Sequence, residues 1–243
     1  MTIIGSRKAL QPFIDKALAV YHTGGRDQLV ASLHKNILKK KVRFPVLEYA
    51  AGALYFAIPA TEQIAVTNEV MRLPEVGRYV IAGMILQHRL GTHFTEAIKQ
   101  AQTYILAGDE WVACDIIGER VLGYALLTQP EKTLPVLRRL SKHENKWIVR
   151  CVGVAAHYAV KKGLKKMYVE EMFRVLLSLS STTDFHTKKG IGWAAKTTAK
   201  YHPDIVDRYT EQIARDANIK QWFRTKIKIG LGRTEKYAHR YNS

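Results

Sequence analysis

Trp111 and Asp115 lie four residues apart in the segment Glu110–Asp115. On an α-helix this spacing places an indole ring and a carboxylate on one face, one turn apart. The face of an indole attracts cations, and an ionised carboxylate attracts them too. The pair therefore predicts a site for a positively charged group.

The rest of the chain predicts a partner of the opposite charge. Its 38 Lys and Arg residues exceed its 21 Asp and Glu residues, which gives a net charge of +17 and a pI near 9.9. Such a balance favours a polyanion, and nucleic acid is the first candidate. A basic protein without a specific partner is the alternative.

Other features of the sequence bear on its compartment. The longest uncharged apolar stretch, Tyr49–Ile58, is shorter than the roughly 20 residues that span a bilayer. The N-terminus lacks the apolar segment of a signal peptide. Cys114 and Cys151 fit no zinc or CxxC pattern and are predicted to be buried free thiols. We therefore expect a cytoplasmic, nucleoid-associated protein with no membrane contact.

Apolar residues recur at spacings of three and four along nearly the whole chain, which is typical of helices. The predicted first and second helices of three successive pairs begin near Asp109 and Pro130, near Glu144 and Met167, and near Asp184 and Pro203. A period of about 40 residues with two helices per repeat is typical of HEAT-like proteins. We predict an all-α, HEAT-like solenoid of about six antiparallel helix pairs, with a concave basic groove, as a single domain over residues 1–243. An irregular helical bundle is the alternative.

Familiar catalytic motifs are missing from the sequence. It has no Walker loop, GxGxxG after a strand, HExxH or GxSxG. Its nine histidines are scattered, and none has the spacing of a shared metal ligand. We expect neither a metal nor a cofactor, and a chemistry that depends on electrostatic stabilisation.

Two later segments, like the first pair, place a tryptophan close to charged residues. They are Trp147-x-x-Arg150 and Lys188-Lys-Gly-Ile-Gly-Trp193. Both fall on first helices of successive pairs, and equivalent helices of a solenoid line one wall. The side chains predicted to converge on the concave face are Trp111, Asp115, Arg150 and Trp193.

The order and spacing of these three segments resemble the AlkD-like DNA glycosylases, a DNA alkylation repair group built from HEAT-like repeats. The resemblance extends from Trp111 to the C-terminal part of the chain and is looser before it. It implies removal of N3- and N7-alkylated purines from double-stranded DNA, with Trp111, Asp115 and Trp193 as catalytic residues and Arg150 as a DNA-clamping residue. The family often has a second arginine where Val149 stands and an arginine where Lys196 stands.

The chemistry of the lesion fits these residue types. An N3- or N7-alkylpurine is positively charged, and its glycosidic bond breaks through an oxocarbenium-like sugar that is also positive. A carboxylate about 4 Å from a unit positive charge contributes roughly 4 kcal/mol at an effective dielectric near 20, or about three decades of rate. Trp111 and Trp193 would hold the cation, and Arg150 would bind a phosphate bidentately. Whether the base is flipped out of the duplex stays open.

Less specific interpretations remain for each residue. Asp115 is alternatively a structural partner of Arg150 or Arg120, and Trp147 is expected in the core. Further phosphate contacts are predicted at Lys146, Lys188, Lys189, Lys196, Arg224, Lys228 and Arg233, although such residues also occur on solvated faces. The alternative functions are a non-catalytic HEAT-like module that binds damaged or branched nucleic acid or a protein, and an RNA-binding array. We expect a monomer.

Overall fold

Helices make up most of residues 3–235, the part of the chain that the computed structural model describes. They are α1 (Arg7–Leu33), α2 (Phe44–Ala57), α3 (Ala60–Met71), α4 (Gly77–Arg89), α5 (Phe94–Gly108), α6 (Trp111–Ile117), α7 (Tyr124–Thr128), α8 (Pro130–Leu140), α9 (Lys146–Lys161), α10 (Lys166–Ser178), α11 (Phe185–Tyr201), α12 (Pro203–Asp207), α13 (Thr210–Arg215) and α14 (Gln221–Leu231). Two π-helical segments, His34–Leu38 and Gly118–Gly123, follow α1 and join α6 to α7. Within residues 3–235 no strand forms, so the predicted all-α class is confirmed.

The chain divides into two units, one ending at Tyr104 and the other beginning at Ile105. In the N-terminal unit α2 packs on α1 and α4, and α3 packs on α4. The helix α1 bends at Gly25, whose φ of 70° is a conformation that favours glycine. None of the helices in residues 3–235 has the length and apolar character of a membrane-crossing segment. The single domain over residues 1–243 stays a prediction.

The C-terminal unit has the predicted repeat arrangement. The segment from α6 through α7, then α9, then α11 are the first helices of three successive pairs, and α8, α10 and α12 begin the second helices. The starts lie within two residues of those predicted from the sequence. The helix α9 packs between the α6–α7 segment and α11, and α14 packs on the other side of α11. Neighbouring first helices therefore hold the residues that the sequence singled out.

Local signals explain where these helices begin. The side chains of Asn145 and Asp184 each accept a hydrogen bond from a backbone N–H of the first turn of α9 and α11, at 2.9 and 2.7 Å. Pro130 and Pro203 occupy the first turns of α8 and α12, where a missing N–H is tolerated. These signals fix where the helices begin, and so fix which helix face each site residue of α9 and α11 occupies.

The contact between α9 and α11 depends on two glycines. A Cβ on Gly153 would lie 2.3 Å from the carbonyl carbon of Gly190, and a Cβ on Gly190 would lie 2.6 Å from the carbonyl oxygen of Arg150. The two backbones thus meet without side chains between them. Trp193, one turn after Gly190, is consequently held close to α9.

Replacing Gly190 with alanine should force α9 and α11 apart, because the added methyl group meets backbone that cannot move alone. We expect a loss of about 1–3 kcal/mol in the free energy of unfolding, even though alanine improves helix propensity by about 1 kcal/mol. The matched control is Gly192→Ala, whose new Cβ meets the flexible side chain of Lys226. Urea unfolding measures both, and equal stability of the two variants would contradict the close-contact argument.

Candidate active site

The carboxylate of Asp115 on α6 forms a bidentate ion pair with the guanidinium of Arg150 on α9. Arg150 Nε donates to Asp115 Oδ1 at 2.8 Å, and Nη2 donates to Oδ2 at 2.7 Å. A third nitrogen, Nη1, donates to the carbonyl oxygen of His186 on α11 at 3.2 Å. The Arg150 side chain is 8% exposed and that of Asp115 is 18% exposed. The structure thus gives Arg150 two protein partners, and its predicted contact with a phosphate stays a prediction.

The environment of Arg150 favours its charged form. Burial acts to lower the pKa of Arg150, but the hydrogen bonds and the charge of Asp115 outweigh burial and raise that pKa above its ordinary value. Each oxygen of Asp115 accepts one bond from Arg150, which leaves further lone pairs on the carboxylate. The partly exposed acid therefore keeps the capacity to accept a hydrogen bond from water or to face a cation.

Two thiols lie next to this pair. Cys114 and Cys151 are free and buried, as predicted, with their Sγ atoms 3.0 Å apart. Burial and the hydrogen bond with Cys114 raise the pKa of Cys151 well above its ordinary value. The two thiols belong to the residues next to Asp115 and Arg150 in the sequence.

Trp111 is the first residue of α6 and is 55% exposed. The chain enters this helix through Asp109, which has a φ of 45°. The indole N–H of Trp147 donates to Asp109 Oδ1 at 2.7 Å and holds that entry in place. Trp147 itself is buried, so its predicted core position is confirmed. Its role is to fix the turn that presents Trp111 one helical turn before Asp115.

Trp193 on α11 is half-buried and stacks on His157 of α9. The two ring centroids are 4.0 Å apart, and the ring planes are inclined by 21°. His157 Nδ1 and the hydroxyl oxygen of Thr197 are 2.7 Å apart, within hydrogen-bond distance. Burial, followed by the charges of three lysines, lowers the pKa of His157 to about 3. The indole therefore rests on an uncharged ring that sequence reasoning did not single out.

Phe185 is a second aromatic residue that sequence reasoning missed. It is 60% exposed at the start of α11, and Lys189 lies over its ring at 5.0 Å. The next residue, His186, supplies the carbonyl oxygen that accepts from Arg150. An aromatic residue directly after the helix cap Asp184 was the available signal.

The predicted DNA-binding residues occupy different environments. Lys146, Lys189, Lys228 and Arg233 are exposed, whereas Lys188 and Lys196 are half-buried. The pKa of Lys196 is lowered, first by burial and then by the charges of Arg233, Lys226 and Lys200. Lys188, Lys189 and Lys196 lie on α11, Lys228 lies on α14, Arg233 follows α14, and Lys146 begins α9.

Arg224 differs from the other predicted DNA-binding residues. Its Nε and Nη2 donate to the backbone carbonyl oxygens of Ile213, Ala214 and Asp216, at 2.7 to 3.3 Å. These bonds connect α14 to the end of α13. The structure thus gives Arg224 a role in holding this turn, and its contact with phosphate stays a prediction.

Three clefts of the C-terminal unit lie away from these site residues. These clefts have volumes of about 340, 510 and 550 Å³, and none is lined by Asp115, Trp111 or Trp193. In the part of the chain that the structure describes, no three His, Cys, Asp or Glu side chains are grouped as metal ligands.

Comparison with known families assigns the chain to one of them. A family model described as DNA alkylation repair enzyme matches residues 41–228. The chain belongs to this family. The match includes Trp111, Asp115, Arg150 and Trp193, and the AlkD-like resemblance noted from the sequence is confirmed. A search of curated proteins found no match. The family makes the protein a DNA alkylation repair enzyme with DNA as its partner.

The buried His157 should make the stability of the protein depend on pH. Its pKa is about 3 in the folded chain and near 6.5 in an unfolded one. The unfolded state therefore binds more protons as the pH falls below 6.5, and the stability that the neutral ring contributes is lost between about pH 6.5 and 3.

The variant His157→Phe should remove this contribution, up to about 1.4 kcal/mol per pH unit in that range. Urea unfolding at several pH values measures the slope. His22→Phe, at an exposed histidine of the N-terminal unit, is the control and should keep the wild-type slope. An unchanged slope in His157→Phe would show that His157 is protonated in the folded protein.

Proposed function

We propose that the protein is a monofunctional DNA glycosylase that releases positively charged N3- and N7-alkylated purines from double-stranded DNA in base excision repair. The observation that carries this proposal is the Asp115 carboxylate, fixed by Arg150 and partly exposed. It lies one turn from the exposed Trp111, and Trp193 lies on α11, the first helix of the third pair. Family membership supplies the alkylated DNA substrate class.

The reaction needs a negative charge and a water molecule. The bond between the sugar C1′ and the purine nitrogen breaks, and its electron pair neutralises the positive charge of the alkylated base. The oxygen of a water molecule then bonds to C1′, and the proton of that water passes to Asp115 or to solvent. Asp115 stabilises the positive sugar in the transition state and orients the water. Trp111 and Trp193 contact the cation through their ring faces, with about 0.5–2 kcal/mol each.

Arg150 changes the magnitude expected from the sequence. A carboxylate about 4 Å from the sugar stabilises its charge by roughly 4 kcal/mol, but a guanidinium about 8 Å away opposes it by roughly 2 kcal/mol at the same effective dielectric of about 20. The net gain of about 2 kcal/mol corresponds to a rate factor of about 30. The ion pair thus stabilises the positive sugar less than an isolated carboxylate would. It also fixes the orientation of the carboxylate toward the sugar.

The most direct test replaces Asp115 with asparagine, which keeps the shape and removes the charge. The unopposed Arg150 would then repel the developing cation, so we expect single-turnover base release to fall by about 10²–10³. DNA binding should persist. Release of the free base is followed by chromatography, and release at the wild-type rate would contradict the catalytic role of Asp115.

A double variant separates chemistry from folding. Asp115→Asn alone leaves a buried cation unpaired, which costs about 3–5 kcal/mol of stability. Adding Arg150→Gln removes that cation. We expect the double variant to regain stability in urea unfolding but to stay about 30-fold below the wild-type rate. Full recovery of the rate would show that the loss in the single variant came from folding.

A second candidate function has its own support in the structure. Both oxygens of Asp115 accept a hydrogen bond from Arg150. The ion pair is therefore also suited to a purely structural link between α6 and α9. A non-catalytic module that binds damaged or branched nucleic acid would retain this tie. Such a module would bind alkylated duplexes and release no base, with or without Asp115.

The charged residues on α11 and α14 should determine how DNA affinity depends on salt. Replacing Lys196 or Lys228 with alanine should lower the magnitude of the slope of log K against log salt by about 1 each, because one fewer counterion is released. Lys132→Ala on α8, a second helix, is the control and should leave the slope unchanged. Titration of duplex DNA and structured RNA at the same salt concentrations measures both the slope and the preference. A slope that none of these variants changes, or tighter binding of RNA, would contradict the assigned DNA face.

The proposal includes a working context for the enzyme. It acts as a monomer on chromosomal DNA in the cytoplasm and uses neither a cofactor nor a metal. The family resemblance implies that the lesion stays in the duplex and is contacted through the sugar and the backbone. A base that stays in the duplex enters no pocket that would limit its size, so we expect bulky alkyl groups to be tolerated.

A further inference from the structure

We propose that His157 is a positioning residue that holds the Trp193 indole in place for the cationic substrate by stacking its imidazole ring against it. This inference rests on the proposed glycosylase function. It assigns a role to a side chain that contacts neither substrate nor the reacting atoms in the proposed mechanism.

The geometry restricts both rings. Gly153 and Gly190 bring α9 and α11 into backbone contact, and His157 and Trp193 each follow one turn later on their helices. The ring centroids are 4.0 Å apart and the planes nearly parallel, at 21°. The contact between Nδ1 and the Thr197 hydroxyl fixes the rotation of the imidazole. Thr197 lies one turn after Trp193 on α11, so the same helix carries both partners of His157. The indole is therefore supported on one side by α9.

The charge state of the supporting ring matters for a site that accepts a cation. A protonated imidazole would compete for the π-electrons of the indole and repel a positive base or sugar. His157 is buried, and the charged groups that affect it are Lys161 on its own helix and Lys196 and Lys200 on α11. All three are cationic and, with burial, oppose a proton on the imidazole. The surroundings thus preserve the attraction of Trp193 for a cation.

Two substitutions separate the ring from the hydrogen bond. His157→Phe keeps an aromatic ring and loses the contact with Thr197, whereas His157→Asn keeps a polar group near the position of Nδ1 and loses the ring. We expect base release by His157→Phe to stay within about twofold of wild type and release by His157→Asn to fall by about 10-fold, the upper range for one aromatic pair. Equal losses in both variants would overturn the stacking role.

A double-variant cycle distinguishes positioning from general stability. If His157 acts through Trp193, then His157→Asn should lower base release about 10-fold in the wild-type background and by less than about twofold in a Trp193→Ala background. A purely structural role would give the same factor in both backgrounds, and that result would overturn the inference. If the wild-type protein itself releases no base, the glycosylase proposal fails, and the inferred role in that reaction fails with it.

A spectroscopic measurement tests the stack without reference to activity. The difference in fluorescence between wild type and Trp193→Phe isolates the emission of Trp193, and a protonated imidazole in contact with an indole quenches that emission. We expect the difference to stay constant from about pH 8 to about pH 5. Quenching with a midpoint near 6.5, the ordinary histidine value, would overturn the claim of an uncharged supporting ring.

Discussion

The guanidinium of Arg150 is the group on which the arrangement of this site depends. It binds the carboxylate of Asp115 on α6 and the carbonyl oxygen of His186 on α11, while belonging to α9 itself. One side chain therefore joins three successive first helices of the repeat. The close contact of Gly153 and Gly190 makes this reach possible, because α11 passes directly over the backbone of Arg150. A HEAT-like array usually joins its repeats by apolar packing, and here an ion pair with a buried guanidinium also fixes the register of the helices.

The same ion pair limits how strongly Asp115 acts on a cation. A bidentate partner removes part of the field of the carboxylate, but it also fixes the direction of the oxygens that stay accessible. The aromatic rings carry no such penalty, because Trp193 rests on a neutral ring and Trp111 stands exposed at the start of its helix. In the proposed mechanism, attraction for the cation is thus divided between one moderated charge and the faces of two indoles, and the lysines of α11 and α14 are proposed to attract the phosphates.

Sequence reasoning predicted the parts of this structure that depend on local signals. Most of the predicted helix starts have a local signal, namely the caps Asn145 and Asp184 and the prolines Pro130 and Pro203. The repeat could therefore be predicted from the sequence. The i, i+4 spacing likewise placed Trp111 and Asp115 on one face. The partner of Arg150 was left open, because spacing along one helix does not say which group on another helix it meets. The stack of His157 on Trp193 depends on the glycine contact between α9 and α11, and the carbonyl contacts of Arg224 depend on the turn after α13. Neither has a local pattern in the sequence.

The central claim is that this site breaks a glycosidic bond, and one measurement tests it most directly. The wild-type protein is incubated with duplex DNA that carries 7-methylguanine or 3-methyladenine, and the free base is separated by chromatography. The account predicts time-dependent release of the free alkylated base, leaving an abasic site in an unbroken strand. Binding of the same duplex with no free base above the spontaneous background would contradict it and would favour the non-catalytic module.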